Sequence, residues 1–203
     1  MAQLIDIQEV AVGPKNLTAR VYVADTAPLM TDEDIEATAR VYNLMPHIAE
    51  HVCMGDKGET FKEAMPSTEL AHMLEHVAVE LIAQTGLADI SCGRTWAVSG
   101  YDRTYDVQLK CVDDVLVLGA LSSAVWIMQW AFSGGGEPIP DIEGIVEGLK
   151  GLVSAAETLE DNALVDTDTE NESDAVEDTD VEIPAVEEEP SYDEVQLDDS
   201  DLD

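Results

Sequence analysis

Eighteen consecutive residues without a charge, Val115 to Phe132, constrain this chain more than any other feature. An apolar run of that length either crosses a bilayer or lies within a folded core. Gly119, Ser122, Ser123 and Gln129 interrupt it, and Asp113 and Asp114 stand directly before it with only Lys110 nearby. Such flanks lack the basic residues that anchor a spanning helix, so the run reads as the buried central helix of a soluble domain. The other elements must then cover it.

Leu4–Val12 and Thr18–Ala24 read as strands. In the second, Ala19, Val21 and Val23 alternate with Arg20 and Tyr22, the period of a half-buried strand. Gly13-Pro14-Lys15-Asn16 between them is turn chemistry, which predicts a hairpin. Thr31-Asp32-Glu33-Asp34 resembles a capping box and opens a helix to about Met45. Ile35, Ala39, Tyr42 and Met45 form its expected apolar face. Pro66-Ser67 opens a second helix, with Ser67 as N-cap and Gly86 as C-cap. Ile90–Ser99 and Thr104–Val112, joined by Gly100-Tyr101-Asp102-Arg103, predict a second hairpin. The charge-free helix follows, and Pro140-Asp141 opens a last one with apolar residues at Ile142, Ile145, Val146, Leu149, Leu152, Val153 and Ala156. This order implies an α+β two-layer domain, an antiparallel sheet of about four strands with helices on one face.

Charge divides the chain differently. Glu157–Asp203 holds 21 acidic residues and no Lys, Arg or His, within a total of 44 Asp and Glu against 9 Lys and Arg. Periodicity stops near Thr158, so residues 1–158 are expected to form the domain and residues 159–203 a disordered acidic tail. A formal net charge of −35 excludes a basic face for phosphate contacts, and hence nucleic-acid binding. It also opposes docking on anionic lipid, and it suits cationic partners. Cys53, Cys92 and Cys111 are an odd, scattered set, which points to a reducing compartment. The opening MAQLIDIQEV has no basic region followed by an apolar run, so no secretory signal is expected and a cytoplasmic location is.

All four histidines lie in two copies of one pattern: His47-Ile48-Ala49-Glu50-His51 and His72-Met73-Leu74-Glu75-His76, both H-x-x-E-H. On a helix, His72 and His76 rise one turn apart on one face, a spacing that lets two ring nitrogens meet one metal ion. Glu75 beside them is placed to take a proton from a water rather than to bind the ion, the inverted-zincin arrangement. Leu70, Met73, Leu74, Val77, Leu81 and Ile82 form the opposite, apolar face, so His72, Glu75, His76 and Glu80 are expected to point away from the core. Zinc needs a third protein ligand. Glu80, Asp113 and Asp114 are the carboxylate candidates, with Cys92 and Cys111 as thiol alternatives; Asp113 and Asp114 would equally serve a helix N-terminus. In the first copy Pro46 and a Gly-rich loop flank the pattern. There Glu50 and His51 are expected to be a structural pair and Cys53 a small buried residue. Phosphate-loop, dinucleotide and nucleophile-elbow motifs are missing from the sequence.

From about Pro46 to Val112 the chain resembles the N-terminal domain of cyanophycin synthetase. The resemblance lies in Glu50-His51-Val52-Cys53, in ELAHMLEHVAVELIAQTGL from Glu69 to Leu87, in Cys92-Gly93-Arg94-Thr95, and in Tyr105-Asp106-Val107 and Val112-Asp113-Asp114. His47 stands where that family has an apolar residue. The ATP-grasp and Mur-ligase-like domains of the synthetase are not among these residues. The resemblance implies a metallopeptidase-like site, with His72 and His76 on zinc and Glu75 as base, in a pitrilysin-like two-layer fold. It also implies a polymer of aspartate carrying arginine as a substrate class.

Together these readings predict a zinc-dependent hydrolase of a peptide-like, cationic, cyanophycin-type substrate. The alternative is a non-catalytic binding or accessory module for a polymer or a synthetase-like partner. Zinc content separates the two. For the tail, a chain cut after Thr158 is expected to keep its far-UV helix signal per domain and its cooperative thermal transition; aggregation of the cut chain would place the tail within the fold.

Overall fold

The computed structural model describes residues 3–53 and 59–169. Two compact units divide the chain, Met1–Leu164 and Val165–Asp203, and the elements that build the site belong to the first. Strand β1 (Ile5–Val12) and strand β2 (Asn16–Val23) form the first hairpin, and β3 (Arg94–Ala97) and β4 (Thr104–Lys110) the second. All pairings are antiparallel, in the order β1-β2-β4-β3. The expected α+β architecture with one four-stranded sheet is therefore the one observed.

The two-residue alternation decides which face is covered. Leu17 stands opposite Leu109, Ala19 opposite Val107 and Val21 opposite Tyr105, and all six are buried. On the other face Arg20 opposes Asp106, and its guanidinium grips that carboxylate with two hydrogen bonds of 2.9 and 3.0 Å. The helices are α1 (Ile35–Leu44), the four-residue α2 (Phe61–Ala64), α3 (Leu70–Thr85), α4 (Asp114–Phe132) and α5 (Ile142–Thr169), and α3 and α4 make the main contacts with the sheet. Helix α3 lies on β2, β3 and β4, with α4 beside it and touching β1 and α1.

Helix α4 is long and apolar enough to cross a membrane by length and composition. In this fold Leu116, Ala120, Leu121, Ala124, Ile127, Met128 and Ala131 form its buried face. Asp113 caps its start, accepting a hydrogen bond from the Leu116 amide at 2.7 Å. The expected central helix is thus buried along one face only; Trp126 remains half exposed on the other. Helix α5 closes on it where Gly119 leaves room for the Leu149 side chain. Of the expected α5 face, Val146, Leu149 and Val153 are buried while Leu152 is exposed.

Two local readings need correction. In α1 the buried residues are Ala37, Thr38 and Val41, followed by Met45, and Ile35 is 73% exposed. Thr31–Glu33 form a separate 3-10 turn, and Asp34 is the cap, accepting from the Ala37 amide at 2.9 Å. Ile35, Ala39 and Tyr42, one helical face, are exposed, because the helix packs on the neighbouring face of Ala37, Thr38 and Val41. Helix α3 likewise begins at Leu70 and not at Ser67, because Met30 and Glu69 form an antiparallel bridge that keeps residues 68–69 extended. Its end is as expected, at Gly86 with φ +68°, a left-handed position suited to glycine. The backbone of α5 continues to Thr169, so residues 159–169 of the expected disordered tail are helical; the rest of that tail, residues 170–203, lies outside the described residues, as does the Gly-rich stretch 54–58.

The one-sided sheet gives a direct test. Leu109→Ala removes a fully buried side chain and is expected to cost about 2–5 kcal/mol in urea unfolding. Gln108→Ala, on the open face, is expected to cost under about 1 kcal/mol. Equal losses would mean that both faces of the sheet are covered.

Candidate metal centre

Helix α3 carries polar residues where a helix pressed on a sheet should be apolar. Glu75 is 3% exposed, His76 1% and Glu80 6%. The expected outward polar face is therefore not outward: β3 covers part of it, and the stretches 46–53 and 59–61 cover the rest. Buried polar groups need partners, and no buried side-chain nitrogen or oxygen among the described residues lacks one.

The covering segment is shaped locally. Pro46–Glu50 form a 3-10 helix, whose three-residue turn puts His47 over Glu50 at 3.6 Å, both exposed. It ends at His51, which adopts extended backbone and so leaves the His47 face and turns inward. The expected pairing of Glu50 with His51 does not form. Val52 and Thr60 then make an antiparallel bridge, in which the Cys53 amide donates to the Glu59 carbonyl and the Phe61 amide to the His51 carbonyl. Thr60 and Glu63 form a capping box at the start of α2. This fixes Phe61, whose ring stacks on His76 with centroids 3.9 Å apart.

The result is a cluster of three donors. His72 Nε2 lies 3.2 Å from His76 Nε2 and 3.5 Å from Cys53 Sγ, and the three ligand atoms all fall within 4.8 Å of one another. A tetrahedral zinc ion with bonds of about 2.0–2.1 Å to nitrogen and 2.3 Å to sulfur would hold its ligands about 3.4–3.6 Å apart. The donor set thus fits a metal ion of that kind.

The outer hydrogen bonds support the same reading. Glu80 Oε2 lies 2.7 Å from His51 Nε2, and His51 Nδ1 lies 3.3 Å from His76 Nδ1. With His51 donating to the Glu80 carboxylate, its other nitrogen accepts from His76 Nδ1–H, which leaves the lone pair of His76 on Nε2. On the other side Thr68 Oγ1 stands 2.8 Å from His72 Nδ1. Its hydroxyl reaches the Glu69 carboxylate at 3.5 Å, so it accepts from His72 Nδ1–H and leaves that ring's lone pair on Nε2 too. Two lone pairs 3.2 Å apart beside a thiol repel one another unless a cation lies between them. Burial and the neighbouring histidines hold the His76 pKa down to about 2, and burial also lowers that of His72. Both rings are therefore neutral, the form that binds metal. Carboxylate and hydroxyl groups behind ligating histidines commonly set this orientation.

Glu75 sits beside the cluster. The Gly93 amide donates to its Oε1 at 3.0 Å and the Thr95 hydroxyl to its Oε2 at 2.7 Å. Burial raises its pKa, and those two hydrogen bonds work against the rise. Only glycine fits at 93, because a Cβ there would lie 2.7–2.8 Å from Glu75 Cγ, the Gln108 carbonyl oxygen and Leu109 Cδ2. A cavity of about 680 Å³ opens over Cys53, His72, Glu75 and His76, walled on one side by Arg94–Ala97 and on the other by Met30, Val52 and Thr68.

The structure thus brings His72, His76 and Glu75 together, and not the expected third ligands. Glu80 is held by His51 and by Gln84, which donates to its Oε1 at 2.7 Å. Burial pushes the Glu80 pKa up, but these bonds outweigh it and leave it lowered. Glu80 therefore acts one step behind His76. Asp114 is exposed in the first turn of α4, and Asp113 is spent on the cap. Cys92 and Cys111 are free thiols outside the donor set. The third donor is Cys53, expected to be merely buried. Thr68, Thr95, Gly93 and Phe61 also escaped the sequence reading. Only the place of Gly93 and Thr95 in the quoted family stretch marked them.

Glu80→Gln keeps shape but weakens the bond to His51, and is expected to lower the affinity of the cluster for an added metal ion about 10–100-fold. Cys53→Ser should abolish the thiolate-to-metal charge-transfer band of the cobalt-loaded protein. A cobalt spectrum unchanged by Cys53→Ser would remove the thiol from the donor set.

A family model described as cyanophycin synthase-like N-terminal domain matches residues 20–132. Those residues contain the strands β3 and β4, the donors and Glu75. No curated protein matches the chain.

Proposed function

The chain belongs to the cyanophycin synthase-like N-terminal domain family, and from that premise we propose that it is a zinc-dependent hydrolase of a peptide-like, cationic substrate of the cyanophycin type. The observation that carries this reading is the convergence of Cys53 Sγ, His72 Nε2 and His76 Nε2 beside a buried carboxylate in an open cavity. When bound there, zinc would supply Lewis acidity toward a carbonyl oxygen. His72 and His76 hold their lone pairs toward the donor cluster. Glu75 is held by one bond to each oxygen, and each oxygen keeps a second acceptor position. Its burial-raised pKa suits it to take a proton from an attacking water and return it to a leaving amine. Glu69, at the N-terminal end of α3, also lines the cavity. Its negative charge, within a chain of net charge −35, favours a positively charged substrate.

One observation favours the runner-up, a non-catalytic binding module. Both Glu75 oxygens already accept hydrogen bonds, one from the Gly93 amide directly before β3 and one from Thr95 within it, so the carboxylate ties strand to helix whether or not it moves protons. A substitution separates the roles. Glu75→Gln keeps an acceptor for one of the two bonds but loses basicity. It should retain zinc and slow cleavage of an aspartate–arginine polymer at least about 100-fold. Wild-type protein that holds zinc without cleaving that polymer or a mixed peptide library would establish the binding module instead. Failure to take up zinc would remove the hydrolase reading.

A further inference from the structure

The cavity wall that faces the donor cluster is the outer edge of the sheet. Strand β3 pairs with β4 alone, at the end of the order β1-β2-β4-β3. The direction of its backbone groups follows from one hydrogen bond. The Val98 amide donates to the Thr104 carbonyl at 2.9 Å, so Val98 faces β4. In an antiparallel ladder alternate residues face the partner, so Trp96 and Arg94, opposite Asp106 and Gln108, face β4 as well. Thr95 and Ala97 consequently turn their N–H and C=O groups away from β4, to the free edge. Among the described residues no strand pairs with them there. Ala97 is exposed and Thr95 half-buried, and all four residues of β3 line the cavity that holds Cys53, His72, Glu75 and His76.

We propose that this edge receives the main chain of an extended polypeptide, which joins the sheet as a fifth strand and so lies across Glu75 and the donor cluster. Four main-chain groups without a backbone partner among the described residues, two donors and two acceptors, repeat at the spacing that an extended chain offers in return. The edge is short, with exposed Arg94 and Trp96 beside it, and the cation of Arg94 lies 5.9 Å from the Trp96 ring centroid. That shortness limits pairing with another sheet and leaves it open to a single chain. Thr95 joins binding to chemistry. Its hydroxyl holds Glu75 Oε2 at 2.7 Å while its amide and carbonyl face the incoming chain, so the carboxylate and the bound peptide bond share one reference point. Recognition through the main chain makes the site tolerant of side chains and demanding of free amides. The inference deepens the hydrolase reading and rests on it for the fate of the bound chain.

The test uses the full-length, zinc-loaded Glu75→Gln protein, so that bound peptides survive, with a library of capped dodecapeptides of randomised sequence. Hydrogen exchange at the Thr95 and Ala97 amides is measured with and without the library. At least tenfold slowing at both amides is expected. A matched library with every second amide N-methylated should produce none, because methylation removes the donors that pair with the edge. Ala97→Pro, which removes only an outward N–H, should lower the protection at Thr95 about tenfold. If that variant also lowers the melting temperature, the comparison of the two libraries on the Glu75→Gln protein decides. Equal protection by both libraries, or none at these two amides, overturns the edge pairing. Cleavage of the library by wild-type protein is read separately by mass spectrometry. Protection without cleavage of either the library or the aspartate–arginine polymer leaves the edge pairing standing and removes the hydrolase reading, and cleavage without protection does the reverse.

Discussion

From Leu70 to Ile82 every residue of helix α3 is buried or, at His72, half-buried, including the side that carries two histidines and two glutamates, and the rest of the site is an answer to that burial. A polar group removed from water without a partner costs a few kcal/mol. Each buried group on α3 therefore has to be met by something from outside the helix. Glu75 is met by Gly93 and by Thr95 of β3, His76 by His51 and Phe61, Glu80 by His51, with Gln84 of the helix itself adding a second bond, and His72 by Thr68. The partners come from four separate stretches of chain. The network therefore holds the sheet edge, the covering segment and the loop before α3 in one arrangement.

That network leaves two lone pairs and a thiol aimed at one small volume. Hydrogen bonding to the far side of each ring decides the near side. Glu80 thereby matters to the donor cluster without touching it, through His51. An isolated helix with His72 and His76 on one face would leave both rings free to choose either tautomer. Here the choice is made by Thr68 on one side and by His51 on the other.

The sheet, the order of elements and the helix that bears the second H-x-x-E-H were legible because each rests on local periodicity. Ala19, Val21 and Val23 alternate, Gly86 ends α3, and Asp113 precedes a run that can only be a helix. The errors arose where tertiary pairing overrode local signals. The Met30–Glu69 bridge holds the chain extended through Thr68, so Ser67 has no helix to cap. The 3-10 turn at Pro46–Glu50 breaks the spacing that made His47 and His51 look like a pair, and releases His51 and Cys53 to serve α3 instead. No spacing rule connects Cys53 to His72, because the contact is made across a bridge closed by Thr60. The direction of α3's polar face was also misread: amphipathic patterns identify a face, and not whether the face meets water or protein.

Gly93 carries the site's most conservative contact with the least chemistry. Its amide grips Glu75, and a Cβ would collide at once with that carboxylate's own side chain, the backbone of β4 and Leu109. Every residue but proline would offer the same amide, so what holds this position to glycine is the missing Cβ and not the donor. Any replacement at this position would push β3 away from α3 and take Thr95 with it. The separation between strand and helix, the width of the cavity and the bearing of Glu75 are therefore one variable, set by an absent methyl group.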